Sequence, residues 1–407
     1  MKRETNAEPV IKRQRKRVIL DLPHHMLERL REEGPMSRVE LARRIGVGAA
    51  TSGNYVEKMI AAGLLFEHRD SRSIYSGKGR PPTLVDLNAD GGSLVGVDVE
   101  GPVLRAVRFD FRMEAKSEYM VALPEDPGPD RFGRELLRAV DRVRPPKDAN
   151  WLGIGVAFPG HVDPVRGIAE DTPLFPELRD FDIVACLARR FDVPVWVDND
   201  MCCIAYGERL AGAGRGQDYF AGLASRAGWT GTAIFTGGEL TSGPQRGLSI
   251  GDWLLPAGHP DLPEALRPVK RQGGHRCSLN ELCSEAGFLA IHEKLAGGEA
   301  AKDFDEFAER VADGDATAEK ALDAPAEALG RVVARIDDIL RFDRIVFDGV
   351  FMKLGQLFLD RVARSFREFS MSETPEAGDK FVFSDLGERA ASIGAAGLVL
   401  RHWKPAG

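Results

Sequence analysis

Leu152-Gly153-Ile154-Gly155-Val156-Ala157-Phe158, closed by Pro159-Gly160-His161-Val162-Asp163, is the stretch on which the reading of the body turns. Seven apolar or small residues bounded by a Pro-Gly turn fit a strand buried on both faces, as parallel sheets require. The signature recurs on either side. Upstream, Ser93–Val99 is an apolar strand with one carboxylate, Asp98, near its end, and Val103–Phe109 is its expected hairpin partner. Leu136–Val143 has helical spacing; downstream, a helix is expected around Phe181–Phe191, then a strand at Pro194–Val197 and the polar end Asp198-Asn199-Asp200. Farther on, Pro325–Leu340 carries Leu329, Val332, Val333, Ile336, Ile339 and Leu340 at helical spacing, Arg344–Phe347 is strand-like, and Ser384–Leu400 is expected to return to the first layers. Strands alternating with helices specify an α/β body.

Residues 1–80 read differently. They hold 17 Lys or Arg against 10 Asp or Glu, whereas the remaining 327 residues carry 38 against 52, so a basic head sits on an acidic body. Such asymmetry directs the head to a polyanion. After the basic run Lys12–Arg17, Asp21 and Pro23 open a helix with Met26, Leu27 and Leu30 at helical spacing, stopped by Gly34-Pro35. Ser37 with Glu40 three residues on reads as a capping box for a short helix, Ser37–Ile45. Gly46-Val47-Gly48 makes a tight turn, and a third helix, about Ala49–Ala62, is expected to bury Ala50, Tyr55 or Val56, Met59 and Ile60. Leu64-Leu65-Phe66 and Thr83–Leu87 complete a two-stranded wing. This is the order of a winged helix-turn-helix, whose last helix enters the major groove of double-stranded DNA.

The solvent side of that helix offers Thr51, Asn54 and Lys58, of which Asn54 suits bidentate contact with adenine. Expected phosphate contacts come from Lys12, Arg13, Arg15, Lys16 and Arg17 in the arm, from Arg38 and Arg43, and from Arg69, Arg72 and Lys78 in the wing. Gly77–Pro82 either holds Arg80 in a narrow minor groove or is a plain linker.

The remaining composition bounds the class. With 407 residues, 43% hydrophobic and 29% charged, the chain is of ordinary globular make-up, which argues against disorder and collagen and indicates several folding units. No run of about 18 apolar residues and no apolar core behind Met1-Lys2-Arg3-Glu4 leave neither membrane span nor leader to read, so a cytoplasmic protein is expected. Five cysteines, Cys186, Cys202, Cys203, Cys277 and Cys283, are too sparse for a disulfide framework. The vicinal Cys202-Cys203 pair is expected to act as small apolar side chains rather than as a redox sensor.

These pieces in this order resemble the ROK family (repressors, open reading frames, kinases), specifically its transcriptional regulators of the xylose- and N-acetylglucosamine-repressor type. Ser37–Ala42 and Gly79-Arg80-Pro81 are similar to the regulators' head; Gly96-Val97-Asp98, Gly155–Gly160 and Val197–Asp200 to the sugar-kinase body; Gly394-Ala395-Ala396 to its adenosine-side helix. The resemblance implies an α/β fold in which a winged helix-turn-helix precedes a two-lobed, actin-like body with a cleft between its lobes. The implied division is a DNA-binding domain at 1–88, one lobe at 93–205 with 385–407, and a second lobe at 206–384.

In the family's kinases the aspartate of the Asn-Asp pair is the base that deprotonates a sugar hydroxyl, which the resemblance carries to Asp200 beside the sugar-binding Asn199. The phosphate loops depart from the pattern. The family's Asp-x-Gly-x-Thr is here Asp98-Val99-Glu100-Gly101-Pro102, so a carboxylate stands where phosphates would lie and Pro102 removes an N–H and a hydroxyl. The second loop, Gly-Thr-Gly-Ile-Gly in the family, reads Ala227-Gly228-Trp229-Thr230-Gly231, and Asp348-Gly349 replaces a Gly-Gly turn. Productive ATP binding is therefore not expected.

The family's Gly-Glu-x-Gly-His segment fits either Leu248–Asp252 or, preferred on its spacing from Cys277, Leu255–His259, where Pro256 replaces the sugar-binding Glu. Its cysteine cluster aligns with Lys270–Cys277 and keeps one thiol of three; His259, His275, Cys277 and Cys283 could improvise a zinc site, but a zinc-free loop is expected. The expected ligand-binding set is Pro159, Gly160, Asn199, Asp200 and His259, with Arg226 as a possible holder of an anion.

The sequence thus points to a DNA-binding transcriptional regulator, a repressor, acting as a homodimer or homotetramer on a double-stranded operator. Its body is catalytically silent, needs no cofactor, and either senses a carbohydrate-like ligand or serves assembly. The alternative is an active sugar kinase with a DNA-binding head.

Overall fold

The computed structural model describes residues 22–69, 83–124, 126–172, 174–226, 228–241, 250–256, 269–271, 274–371 and 380–403. Lys12, Arg13, Arg15, Lys16, Arg17, Asp21, Arg72, Lys78, Arg80, Ala227 and His259 lie outside the described residues, as does the side chain of His275.

In the head, α1 (Leu22–Glu33) buries Leu22, Met26, Leu27 and Leu30 and ends at Gly34, whose φ of +81° suits glycine. Ser37 caps α2 (Arg38–Arg44), its Oγ accepting from the Glu40 N–H at 3.2 Å. The Glu40 carboxylate accepts from Arg43 at 3.3 Å. A turn at Gly46 leads to α3 (Ala49–Ala61), which buries Ser52, Val56 and Met59. Ala50, expected inside, is exposed, because the 52/56/59 spacing sets the inward face. Strands β1 (Leu65–Arg69) and β2 (Thr83–Leu87) pair antiparallel as the wing.

The first body sheet starts with β3 (Ser93–Glu100), β4 (Val103–Asp110) and β5 (Ala115–Ala122), antiparallel neighbours in that order. Helix α4 (Gly128–Val143) crosses to β6 (Trp151–Phe158), which lies parallel to β3. A small sheet of β7 (His161–Asp163), β8 (Ile168–Asp171) and β9 (Phe181–Asp182) follows. The helix expected around Phe181–Phe191 shrinks to α5 (Ile183–Ala188), because Phe181 pairs with Ala169 in the small sheet and Asp182 caps the helix through the Ala185 N–H at 2.7 Å. Strand β10 (Val195–Asn199) lies parallel to β6 and runs directly into α6 (Asp200–Ala211).

The second body sheet repeats the plan. Strands β11 (Phe220–Arg226), β12 (Trp229–Thr236) and β13 (Glu239–Thr241) are antiparallel neighbours. A side sheet of β14 (Leu254–Pro256), β15 (Val269–Arg271) and β16 (Gly274–Ser278) leads to α7 (Leu279–Cys283), α8 (Glu285–Ala296), α9 (Phe304–Ala312), α10 (Ala316–Ala321) and α11 (Asp323–Leu340). Helix α11 buries Leu329, Val332 and Val333, whereas Ile339, part of the expected apolar stripe, faces solvent at 80% exposure. Then β17 (Arg344–Gly349), α12 (Val350–Lys353), α13 (Gly355–Phe369) and β18 (Phe381–Phe383) complete a sheet in which β11, β17 and β18 are parallel. The strand orders β5-β4-β3-β6-β10 and β13-β12-β11-β17-β18 match place for place.

The last helix, α14 (Ala390–His402), returns to the first sheet and packs along α6. The approach is backbone to backbone: a Cβ on Gly155 would stand 1.7 Å from the Ala395 carbonyl oxygen, and one on Gly394 1.7 Å from that of Cys203. A single apolar cluster joins head and body, with Met26, Leu30 and Met59 meeting Phe109, Phe111, Leu152 and Val399. Buried Arg209 of α6 pairs with the partly buried Glu32 of α1, and Arg31 donates to the Phe111 carbonyl at 2.8 Å. Among the described residues no helix is long and apolar enough to cross a membrane.

Candidate functional site

The matching strand orders put two hairpins, β3–β4 and β11–β12, in equivalent places, and they meet at the cleft. The first ends in Asp98 and Glu100 before the Gly101-Pro102 turn; the second ends in Arg226. Arg226 spans the gap, donating from Nη2 to Asp98 at 2.7 Å and from Nε to Glu100 at 2.8 Å. Its side chain is only 8% exposed and that of Asp98 is fully buried. Gly349, at the end of β17, lies against the Arg226 stem, where a Cβ would come 2.2 Å from the Ser225 carbonyl oxygen.

Four carboxylates share this one guanidinium. Burial pushes the Asp98 carboxyl up against the opposing pull of Arg226, and burial likewise raises Asp200 and Asp348 to about 6, Arg226 again opposing. Arg226, surrounded by carboxylates, is held firmly cationic although burial opposes its charge. The expectation that Arg226 holds an external anion is corrected: its donors already serve Asp98 and Glu100, and these carboxylates repel a second anion.

The other end of the cleft is built from β6 and β10. Asn199 is 6% exposed; its Nδ2 donates to the Gly160 carbonyl at 2.8 Å and its Oδ1 accepts from the Met201 N–H at 2.9 Å, capping α6. Asp200 Oδ1 also accepts from the Met201 N–H at 2.9 Å. Pro159 is buried beside Gly160, and the φ of +93° at Gly160 suits glycine. Pro159, Gly160, Asn199 and Asp200 are thus brought together, with much of the Asn199 amide committed within the chain.

The thiols sit in apolar surroundings. Cys202 and Cys203 are buried, and burial raises the Cys203 thiol well above its ordinary value. Cys277 and Cys283 are buried as well, the former pushed up to about 12. Among the described residues no group of three or more His, Cys, Asp or Glu side chains is placed to hold a metal ion.

On the head, Thr51, Asn54 and Lys58 lie exposed on one side of α3, and Arg43 and Arg69 are exposed too. Arg38 is engaged, donating to Glu67 at 2.6 Å and to Glu57 at 3.2 Å.

Sequence reasoning missed the Asp98–Arg226–Glu100 junction. Its signal was an acid and an arginine at equivalent ends of two hairpins, visible only once the two sheets are known to share one plan.

The ROK family model matches residues 95–402. A glucokinase of Thermotoga maritima is 24% identical over 77% of this chain and 96% of its own length. The xylose repressor of Bacillus subtilis is 26% identical over 47% of this chain, and the match spans half of that repressor. Among solved structures, a ROK family transcriptional regulator described as a homolog of the E. coli MLC protein superposes with a TM-score of 0.77 at 18% identity, covering 94% of this chain and 96% of that one. The fold is therefore a winged helix-turn-helix head on a two-lobed, actin-like α/β body, and the chain belongs to the ROK family.

Proposed function

We propose that this protein is a DNA-binding transcriptional repressor whose kinase-derived body transfers no phosphate. The observation that carries the reading is Arg226, buried between Asp98 and Glu100 where the two phosphate-loop hairpins meet. A nucleotide's phosphates need converging N–H groups and positive potential, whereas this position presents two carboxylates and a guanidinium that already satisfies them. Asp200 keeps its place as a base with no phosphoryl donor to serve.

The head supplies the output. Thr51, Asn54 and Lys58 on α3 read base edges in the major groove, and Arg43, Arg69 and the arm Lys12–Arg17 hold phosphates. A dimer or tetramer with two such heads fits an inverted-repeat operator. The cleft end at Gly160, Asn199 and Asp200 takes a carbohydrate-like effector weakly, because Asn199 spends its amide on Gly160 and on the α6 cap.

A kinase reading draws on the glucokinase relative and on Asp200. Arg226 opposes it. Genome-wide footprinting of the full chain separates the two: discrete inverted-repeat sites, with Asn54→Ala relaxing base preference by about 1–3 kcal/mol at one position, support the repressor. Absence of discrete sites refutes it.

A further inference from the structure

The body is acidic, yet one of its helices carries a row of arginines. Residues 128–148 hold six Lys or Arg against four Asp or Glu, whereas the 327 residues after the head carry 38 against 52. In α4, Phe132, Leu136, Ala139, Val140 and Val143 are buried, and Arg131, Arg134, Arg138 and Arg142, three or four residues apart, share the exposed side. The row is about 16 Å long, which matches about five phosphates along one DNA strand. Glu135 answers Arg131 and Arg138 at 3.6 and 3.5 Å, and Asp141 answers Arg190 at 2.9 Å. Arg134, Arg142, Arg144 and Lys147 are exposed and form no ion pair among the described residues. The Arg142 guanidinium rests 5.8 Å from the Tyr119 ring centre, which steadies it without neutralising it.

We propose that these four cations form a second DNA-contacting surface, on the body, which holds the phosphate backbone of the duplex beside the bases read by α3. Their placement favours DNA over an acidic protein. The loop after α4 ends at Asn150, whose Nδ2 donates to the Gly91 carbonyl at 2.8 Å. Gly91 in turn lies against the end of α3, where a Cβ would stand 2.2 Å from the Gly63 carbonyl oxygen. Lys147 is thus three residues from a contact that leads straight to the foot of the reading helix, whose last turn carries the exposed Lys58. A duplex seated on α3 continues past the ends of that helix, so flanking phosphates run toward this surface. The segment is also preorganised. Pro145 and Pro146 fix their own backbone, and the Ala149 N–H closes a turn on the Pro146 carbonyl at 3.1 Å, so Arg144 and Lys147 meet phosphate without ordering a loop. Guanidinium groups take phosphate oxygens in paired hydrogen bonds, which suits the arginines of the row. The exposed Asp148 follows Lys147 and offsets part of its charge, leaving the surface cationic.

This surface rests on the reading of the head as DNA-binding. The test is fluorescence anisotropy of the full chain on a labelled, mixed-sequence duplex of about 40 base pairs, titrated over a series of sodium chloride concentrations. Each phosphate contact contributes about one to the slope of log affinity against log salt, so Arg144→Ala with Lys147→Ala should lower that slope by about two. Arg364→Ala with Arg367→Ala, which removes two exposed cations from α13 in the second lobe, should leave it unchanged. An unaltered slope in the first pair overturns the proposal and leaves the row to an acidic protein. An equal fall in both pairs overturns it too, because the effect is then one of net charge. Either result leaves the footprinting test of the repressor reading intact, whereas a parent chain that binds no duplex at all brings down that reading and this proposal together.

Discussion

The two ends of the cleft have diverged in opposite ways. At the hairpin end, Arg226 fills the space between Asp98 and Glu100 and joins two segments more than a hundred residues apart in sequence. At the β6–β10 end, Gly160, Asn199 and Asp200 keep their order, but the Asn199 amide serves the fold. One end is closed by an added side chain and the other is occupied by its own framework. On the proposed reading, the difference teaches that phosphoryl transfer can be given up while its base stays in place, because chemistry needs donor and acceptor together.

The largest effect that could break this comparison is Arg226→Ala. It leaves Asp98 buried and unpaired, and chemical denaturation should show a loss of about 3–5 kcal/mol. A loss below about 1 kcal/mol would mean that the junction is not the tie between the lobes.

Asp200→Asn should act in the other direction. Burial raises Asp200 and Asp348 to about 6 from an ordinary 3.8, so the folded state binds protons more tightly than the unfolded chain does. Their stabilising contribution is full below about pH 4 and is lost as pH rises through about 6. Stability measured at pH 5 should therefore exceed that at pH 7 in this region's share, and Asp200→Asn should gain about 1–2 kcal/mol at pH 7 and flatten the slope. A variant less stable than the parent at pH 7 would contradict the burial account.

Asn199→Ala sharpens the comparison at smaller scale. Removing the α6 cap and the bond to Gly160 should cost about 1 kcal/mol in thermal unfolding. No measurable change would return Asn199 to the pool of groups available for a ligand.

Local signals explain what the sequence revealed. Ser37, the Gly46 turn and the alternation around β6 are read within a few residues, and the helix-turn-helix order and the α/β layers followed from them. Ala50 was misplaced because helix phase depends on which of two apolar stripes meets the core, which is a tertiary matter. The helix at Phe181–Phe191 was overextended because strand pairing with Ala169 competes for its first residue. Glu100 was legible as hostile to phosphate, but its partner Arg226 was not, since no local pattern links them.

Titration calorimetry of the full chain with magnesium ATP decides whether the Arg226 junction admits a nucleotide. With Arg226 seated between Asp98 and Glu100, no saturable heat is expected up to millimolar nucleotide, and no ATP-dependent phosphorylation of glucose, xylose or N-acetylglucosamine. Saturable binding accompanied by sugar phosphate that Asp200→Asn abolishes would contradict it.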